Sequence, residues 1–310
     1  MKKKILIISG ATASGKSGLA LKIANEYEAC GGAKIINADS IQLYKELPIL
    51  SSQPNKNDLL QFEHKLYSIL TQDDEFCLNS WLELAKKEID SALTEGKLPI
   101  IVGGTGLYLS KLIDGINEVP KIENEIRKYC SDYFLKNGKS GLIADLERLG
   151  DKEEKIKTLD KQRLLRRFEI LKQTQKPLSY WQSLPAKKFY DEDLFLHIDL
   201  NPPREILYKN CDNRFELMIN NGVIDEVKNV INADFVSRSS LTKTLGFAEI
   251  KDYILENISK KEMIQISCQK TSNNAKRQLT RFRNQFTNKI EIENVSQETI
   301  GLILEKLRFF

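Results

Sequence analysis

Apolar residues in the first third of the chain come in short unbroken runs separated by helical patterns. Ile5 to Ile8 is followed by a helical stretch from Ser17, by Ala33 to Asn37 and later by Leu98 to Val102. Such runs, bounded by turn residues and alternating with helices, predict βαβ units around a parallel sheet. Leu98-Pro99-Ile100-Ile101-Val102 leads straight into Gly103-Gly104-Thr105-Gly106. A buried parallel strand would thus deliver a loop to the carboxyl edge of the sheet, where α/β folds bind ligands.

From Val119-Pro120 to about Pro202-Pro203 the pattern changes to helices rich in Lys and Glu. Apolar positions such as Leu159, Leu164, Leu165, Phe168 and Leu171 follow helical spacing. The organisation expected is a core of 1–118 and 200–310 carrying a helical insertion over 119–199. Leu194-Phe195-Leu196-His197-Ile198-Asp199-Leu200 reads as one more core strand, and Pro202-Pro203 opens further helices.

With 310 residues, 41% hydrophobic and 29% charged, the chain has the composition of an ordinary globular protein and should fold. No apolar run approaches the length of about 20 residues that crosses a bilayer, and the apolar stretch after Met1-Lys2-Lys3-Lys4 is too short for a signal peptide. A cytoplasmic protein without membrane contact is expected. The five cysteines are scattered singly, and His64 and His197 are the remaining soft ligands, so neither disulfides nor structural zinc are expected. A net charge of +4 is too small to diagnose nucleic-acid binding.

Gly10-Ala11-Thr12-Ala13-Ser14-Gly15-Lys16-Ser17 fits the pattern G-x-x-x-x-G-K-[ST] and lies between a strand-like run and a helical pattern. Glycines let backbone N–H groups converge on phosphate oxygens, and the helix start adds its dipole. Lys16 supplies a point charge, and Ser17 is placed to hold Mg²⁺, the one cofactor expected. The fold class that follows is α/β: a P-loop core with a central parallel sheet, plus the helical insertion domain.

Such a loop does not separate an ATP-binding enzyme from another that handles a pyrophosphate. Ile35-Ile36-Asn37-Ala38-Asp39-Ser40 adds a carboxylate at the expected edge; Asp39 would hold a metal or act as base on an acceptor nucleophile. A solvent-facing turn aspartate is the bland reading. Thr105 would hydrogen-bond a base or phosphate, against the alternative of a plain tight turn. Arg214, in a helical segment after the last strand, would complete a pyrophosphate pocket; by local pattern alone a surface ion pair fits it better.

Two basic stretches follow. Asp160-Lys161-Gln162-Arg163-Leu164-Leu165-Arg166-Arg167 puts arginines on adjoining helical positions, with a solvated helix face as the competing reading. Met263 to Ile290 contains no acidic residue and carries Lys270, Lys276, Arg277, Arg281, Arg283 and Lys289. Leu279, Phe282 and Phe286 form an apolar stripe there, so Lys276, Arg277 and Arg281 should project from a packed helix towards a phosphate backbone.

Taken in order, Gly10–Ser17, Asn37-Ala-Asp-Ser40, Val102-Gly-Gly-Thr-Gly-Leu-Tyr108, Asp160-Lys-Gln-Arg163 and Ala275-Lys-Arg-Gln-Leu-Thr280 closely resemble tRNA dimethylallyltransferase, also called tRNA isopentenyltransferase. The resemblance spans almost the whole chain. It implies transfer of a dimethylallyl group from dimethylallyl diphosphate to N6 of the adenosine adjoining the tRNA anticodon on its 3′ side. It also implies Asp39 as acceptor of the amine proton, with Thr12, Lys16, Ser17 and Arg214 around the diphosphate. Asp39, Ser40, Ile41, Gln42, Thr105, Arg127, Gln162, Arg163, Leu164, Leu165 and Arg166 match tRNA-contacting positions. The partners expected are tRNA and dimethylallyl diphosphate, and the protein is expected to act as a monomer.

This chain departs from the family pattern in three places. Leu50-Ser51-Ser52-Gln53-Pro54 stands where Gly-Thr-Ala-Lys-Pro is usual, Phe247-Ala248 lacks an arginine, and Arg281 replaces a tryptophan. Local contacts are expected to differ there, with the main catalytic positions retained. A small-molecule kinase, a nucleotide prenyltransferase and a non-catalytic RNA-binding module are the alternatives; the long basic C-terminal part favours a macromolecular acceptor.

Overall fold

The computed structural model of the protein describes residues 4–74, 76–233 and 240–309. Its first half runs β1 (Ile5–Gly10), α1 (Lys16–Tyr27), β2 (Ala33–Asn37), α2 (Lys56–Gln61), β3 (Glu63–Lys65), α3 (Leu78–Thr94), β4 (Leu98–Val102), α4 (Gly106–Asp114) and α5 (Asn124–Arg148). The second half runs α6 (Lys161–Thr174), α7 (Leu178–Ser183), β5 (Phe195–Leu200), α8 (Arg204–Asn220), α9 (Val223–Asn232), α10 (Phe247–Ile254), α11 (Lys260–Gln285), β6 (Ile290–Ile292) and α12 (Gln297–Phe309).

The strands form one six-stranded sheet in the order β3-β2-β4-β1-β5-β6, with every pairing parallel. Strand β1 is central: Ile7 pairs with Ile101 on one side and His197 on the other. Its residues are all buried, which is why the run Ile5 to Ile8 carries no polar alternation. Successive side chains point to opposite faces, and Leu6, Ile8, Ile35, Ile100, Ile198 and Leu200 share one core with Leu19 and Ile23 of α1 and Ile303 and Leu307 of α12.

After β1 the chain builds β2, β3 and β4 on one side and then β5 and β6 on the other. The order therefore reverses at β1, and the carboxyl ends of the strands at this switch point form a crevice. Gly10, Asn37, Val102 and Leu200 end their strands at that edge.

Two compact units divide the chain: Met1–Ile113 with Tyr190–Phe310, and Asp114–Phe189. The insertion is thus bounded at 114 and 189, not at 119 and 199. Strand β5 lies outside it because its backbone completes the sheet beside β1. Within the second unit, Cys130, Leu142, Leu146, Ile156, Leu164, Phe168 and Leu171 bury a separate small core between α5 and α6. Gly138, at φ 66° and ψ −169°, breaks the run of α5. Among the described residues no helix is long and apolar enough to cross a membrane.

Candidate active site

The loop from Gly10 to Gly15 joins β1 to α1, which begins at Lys16. Its small apolar residues are there to be packed. Ala11 and Ala13 lie against Leu207 and Cys211 of α8 and Ala275 and Leu279 of α11, so two helices from the far end of the chain hold the loop. Lys16 Nζ donates to the Ala11 carbonyl at 2.7 Å. Burial is the main cause that pushes the Lys16 ammonium down to about 8; Arg214 adds to the shift and Asp39 opposes it. Ser17 is exposed at the start of α1, and among the described residues the buried Ser14 hydroxyl has no hydrogen-bond partner.

Arg214, on α8, donates through Nη2 to Thr12 Oγ1 at 2.6 Å. Burial also lowers its pKa, although a guanidinium keeps its proton throughout the physiological range. Asn210, one helical turn before it, donates to the Ala13 carbonyl at 3.3 Å. Arg214 is therefore directed at the loop and is not the surface ion pair that local pattern favoured.

Asp39 sits just past the end of β2 in a turn fixed from below. The fully buried Asn37 accepts the Asp39 N–H at 2.8 Å and donates to the Asp39 carbonyl at 2.9 Å and the Leu66 carbonyl at 2.9 Å. Trp81, buried on α3, donates its indole N–H to the Asn37 carbonyl at 2.9 Å. Asp39 Oδ1 accepts the Ile41 N–H at 3.0 Å. Asp39 is half-buried in this turn.

The loop after β4 comes against this turn. Thr105 N–H donates to the Ala38 carbonyl at 3.2 Å, and Thr105 Oγ1 accepts the Ser40 N–H at 3.1 Å. A Cβ on Gly103 would lie 2.1 Å from the Ala38 carbonyl oxygen, so this close approach of two strand ends requires glycine.

Two adjoining cavities open at this edge. One, of about 350 Å³, is walled by Lys16, Ser17, Gln42 and Asn210; the other, of about 370 Å³, by Thr105, Leu50, Phe215, Met218 and Arg277. Thr12, Asp39, Ser51, Ser52, Arg214 and Gln278 line both. The first is bordered by the loop with Lys16 beside it, the second mixes apolar side chains and hydroxyls with Lys243 and Arg277, and Asp39 lines both. Ser40 and Ile41 line the second cavity as well. In the departing stretch Leu50 to Gln53, Glu226 accepts the N–H groups of Ile49 and Leu50, and Gln53 donates inward to the Tyr44 carbonyl.

The expected RNA-facing residues fall on both units. On α11, Lys276 is exposed, Arg277 lines the second cavity, and Arg281 is exposed with its Nε bonded to Gln285 Oε1 at 3.0 Å. Leu279, Phe282 and Phe286 are buried as the stripe predicted. In the second unit Arg127 is exposed on α5, and Gln162, Arg163 and Arg166 of α6 line a concavity of about 480 Å³.

Two readings there need correction. Leu164 has no exposed surface and packs in the core of the second unit, so its side chain offers nothing to an RNA; Leu165 is half-buried beside it. Arg167, read with the basic face, is buried and bidentate to Asp151, at 2.6 and 2.7 Å, with Glu153 also in contact. Sequence reasoning missed Gln278, Asn210, Lys243 and Asn274, which are near the site but carry no motif of their own; Gln278 alone stood inside a quoted string, beside the more conspicuous Arg277.

The family model described as IPP transferase matches residues 42–285, and a second, described as Isopentenyl transferase, matches residues 3–74. A tRNA dimethylallyltransferase from Rickettsia massiliae is 37% identical over 306 residues, covering 98% of this chain and 83% of the relative. One from Ehrlichia chaffeensis is 37% identical over 296 residues, covering 94% and 95% respectively. The crystal structure of a tRNA isopentenylpyrophosphate transferase from Staphylococcus epidermidis superposes with a TM-score of 0.68 at 26% identity, covering 99% of both chains. With its sheet edge, loop and carboxylate arranged as described and these matches across nearly its full length, the chain belongs to the IPP transferase family.

Proposed function

We propose that the chain transfers a dimethylallyl group from dimethylallyl diphosphate to N6 of the adenosine 3′-adjacent to the anticodon of tRNA, giving N6-dimethylallyladenosine and diphosphate. The shared wall of the two cavities carries the proposal: Thr12 and Arg214 on one side and Asp39 on the other border the same space. The names of the Rickettsia and Ehrlichia relatives, tRNA dimethylallyltransferase, agree with it.

In this reading the diphosphate lies in the loop, against Lys16, Arg214 and the Thr12 hydroxyl, and the prenyl chain lies toward Leu50, Phe215 and Met218. The adenine amine attacks the prenyl C1 as its bond to the diphosphate oxygen breaks, and the amine proton passes to the Asp39 carboxylate. A neutral exocyclic amine is a poor nucleophile, so a proton acceptor beside it lowers the barrier. The cations stabilise charge on the departing diphosphate. Mg²⁺ fits the donors present, because the Ser17 hydroxyl lines the cavity beside the loop and this hard cation needs only about one or two protein ligands besides phosphate and water. When bound, it would neutralise diphosphate charge.

The phosphate backbone of the RNA is assigned to Lys276, Arg277 and Arg281 on the first unit and to Arg127, Gln162, Arg163 and Arg166 on the second. The protein is taken to act as a monomer in the cytoplasm. The test is to incubate it with labelled dimethylallyl diphosphate and tRNA, digest the RNA and identify the labelled nucleoside. Label in N6-dimethylallyladenosine is expected; label on free AMP, or ATP consumption without RNA, would replace this function by a nucleotide prenyltransferase or a kinase.

A further inference from the structure

Gln278 of α11 joins the loops at the ends of β1 and β4. Its Oε1 accepts the Thr12 N–H at 2.8 Å, and its Nε2 donates to the Gly104 carbonyl at 3.2 Å. A side-chain amide can do both at once, whereas a carboxylate lacks the donor and an ammonium lacks the acceptor. Each contact leads directly to the chemistry. Thr12 carries the hydroxyl bonded by Arg214, and Gly104 precedes Thr105, whose hydroxyl accepts the Ser40 N–H next to Asp39. A Cβ on Gly104 would stand 2.9 Å from Gln278 Nε2 and 3.7 Å from Asp39 Oδ2, so amide and carboxylate crowd the same glycine. The helix under Gln278 is firmly seated: Ala275 and Leu279 pack against Ala11, and Phe282 is buried.

We propose that Gln278 is a positioning residue for prenyl transfer, setting the spacing between the groups that hold the diphosphate and the carboxylate that takes the proton. This rests on the function proposed above. Displacement at carbon places nucleophile and leaving group on opposite sides of one atom, and a misplacement of about 1 Å can cost about 10²-fold in rate. Residues on separate strand ends, joined by one amide, keep that spacing whether or not substrate is present. The amide brings no charge to compete for the diphosphate.

The test compares Gln278→Glu, which keeps size and the acceptor for Thr12 but sets oxygen against the Gly104 carbonyl, with Gln278→Met, which keeps length and loses both contacts. Turnover at saturating substrates should fall about 10- to 100-fold in each. Dissociation constants for dimethylallyl diphosphate and for tRNA, each measured alone, should stay at wild-type values in Gln278→Met, whereas Gln278→Glu, whose carboxylate lines both cavities, should weaken donor binding and is therefore read only from turnover at saturating donor. Gly104→Ala should lower turnover in the wild type and add little in a Gln278→Ala background, because the clash it creates is with the amide. Unchanged turnover in Gln278→Glu overturns the positioning role, as does a loss confined to KM. Gln278→Glu decides the matter should Gln278→Met melt at lower temperature. Failure of the wild type to transfer a prenyl group brings down the reaction itself, which the wild-type control reports separately.

Discussion

Arg214 and Thr12 lie 202 residues apart in the chain and meet through a 2.6 Å hydrogen bond from guanidinium to hydroxyl. The hydroxyl accepts from Arg214, so its own hydrogen is free for a diphosphate oxygen, and the guanidinium keeps further donors for the same ligand. Arg214→Ala should cut kcat/KM for dimethylallyl diphosphate by about 10²- to 10³-fold, the range seen when a donor to developing negative charge is removed. Arg214→Lys keeps the charge and loses the planar fork, so an intermediate loss is expected. Wild-type kinetics in Arg214→Ala would remove the residue from the site.

Asp39 is held by its own backbone turn, so its carboxylate can be changed without moving the chain. Asp39→Asn preserves an acceptor for the Ile41 N–H and removes the proton acceptor. Single-turnover transfer should fall about 10²- to 10⁴-fold, with tRNA affinity in a filter-binding assay unaltered.

The depressed Lys16 ammonium gives a pH signature. Its pKa in the free protein is about 8, below the ordinary 10.5. Below pH 8 the group is charged and ready for the diphosphate, and as pH rises through 8 the charge is lost. Donor kcat/KM should therefore have a descending limb near pH 8. For stability the sign is opposite: the unfolded chain holds the proton up to 10.5, so the cost of the buried charge is fully present below 8 and is relieved as pH rises between 8 and 10.5. Lys16→Arg, which cannot deprotonate in this range, should lower the whole profile and flatten the limb.

Neutralising Arg277 and Arg281 together should weaken tRNA binding and reduce its salt dependence, because each lost phosphate contact removes about one unit from the slope of log K against log salt. Donor binding should hardly change for Arg281, which lies outside both cavities, and this separates it from Arg277. A salt series that overlays the wild-type line would make both arginines plain solvated charges.

What could be read in the sequence was mostly what is local. Strand, glycine loop and helix are contiguous from Ile5 to Tyr27, and each part announces itself by residue type. Asp39 and Thr105 follow strands whose burial is written in their composition. Arg167 was misread because a helical face of arginines looks alike whether it meets water or a carboxylate; Asp151 and Glu153 lie before the helix and come back to it only in three dimensions. The insertion border was displaced at its far end because β5 is recognisable as a strand, but its partner β1 begins near the other end of the chain. Gln278 was overlooked as a neutral residue among cations, although its use depends on that neutrality.

The loop between β1 and α1 is roofed by α8 and α11, which lie much later in the chain. Thr12 meets Gln278 across 266 residues, and Ala11 and Ala13 find their packing partners on the same late helices. A nascent chain that has emerged only through β4 holds the whole glycine loop and the Asp39 turn, yet has no guanidinium to face them and no amide to join them. A chain that ends before α11 also lacks Gln278 and the packing of Ala275 and Leu279 against the loop. The glycine loop thus has its full packing only once α11 is in place.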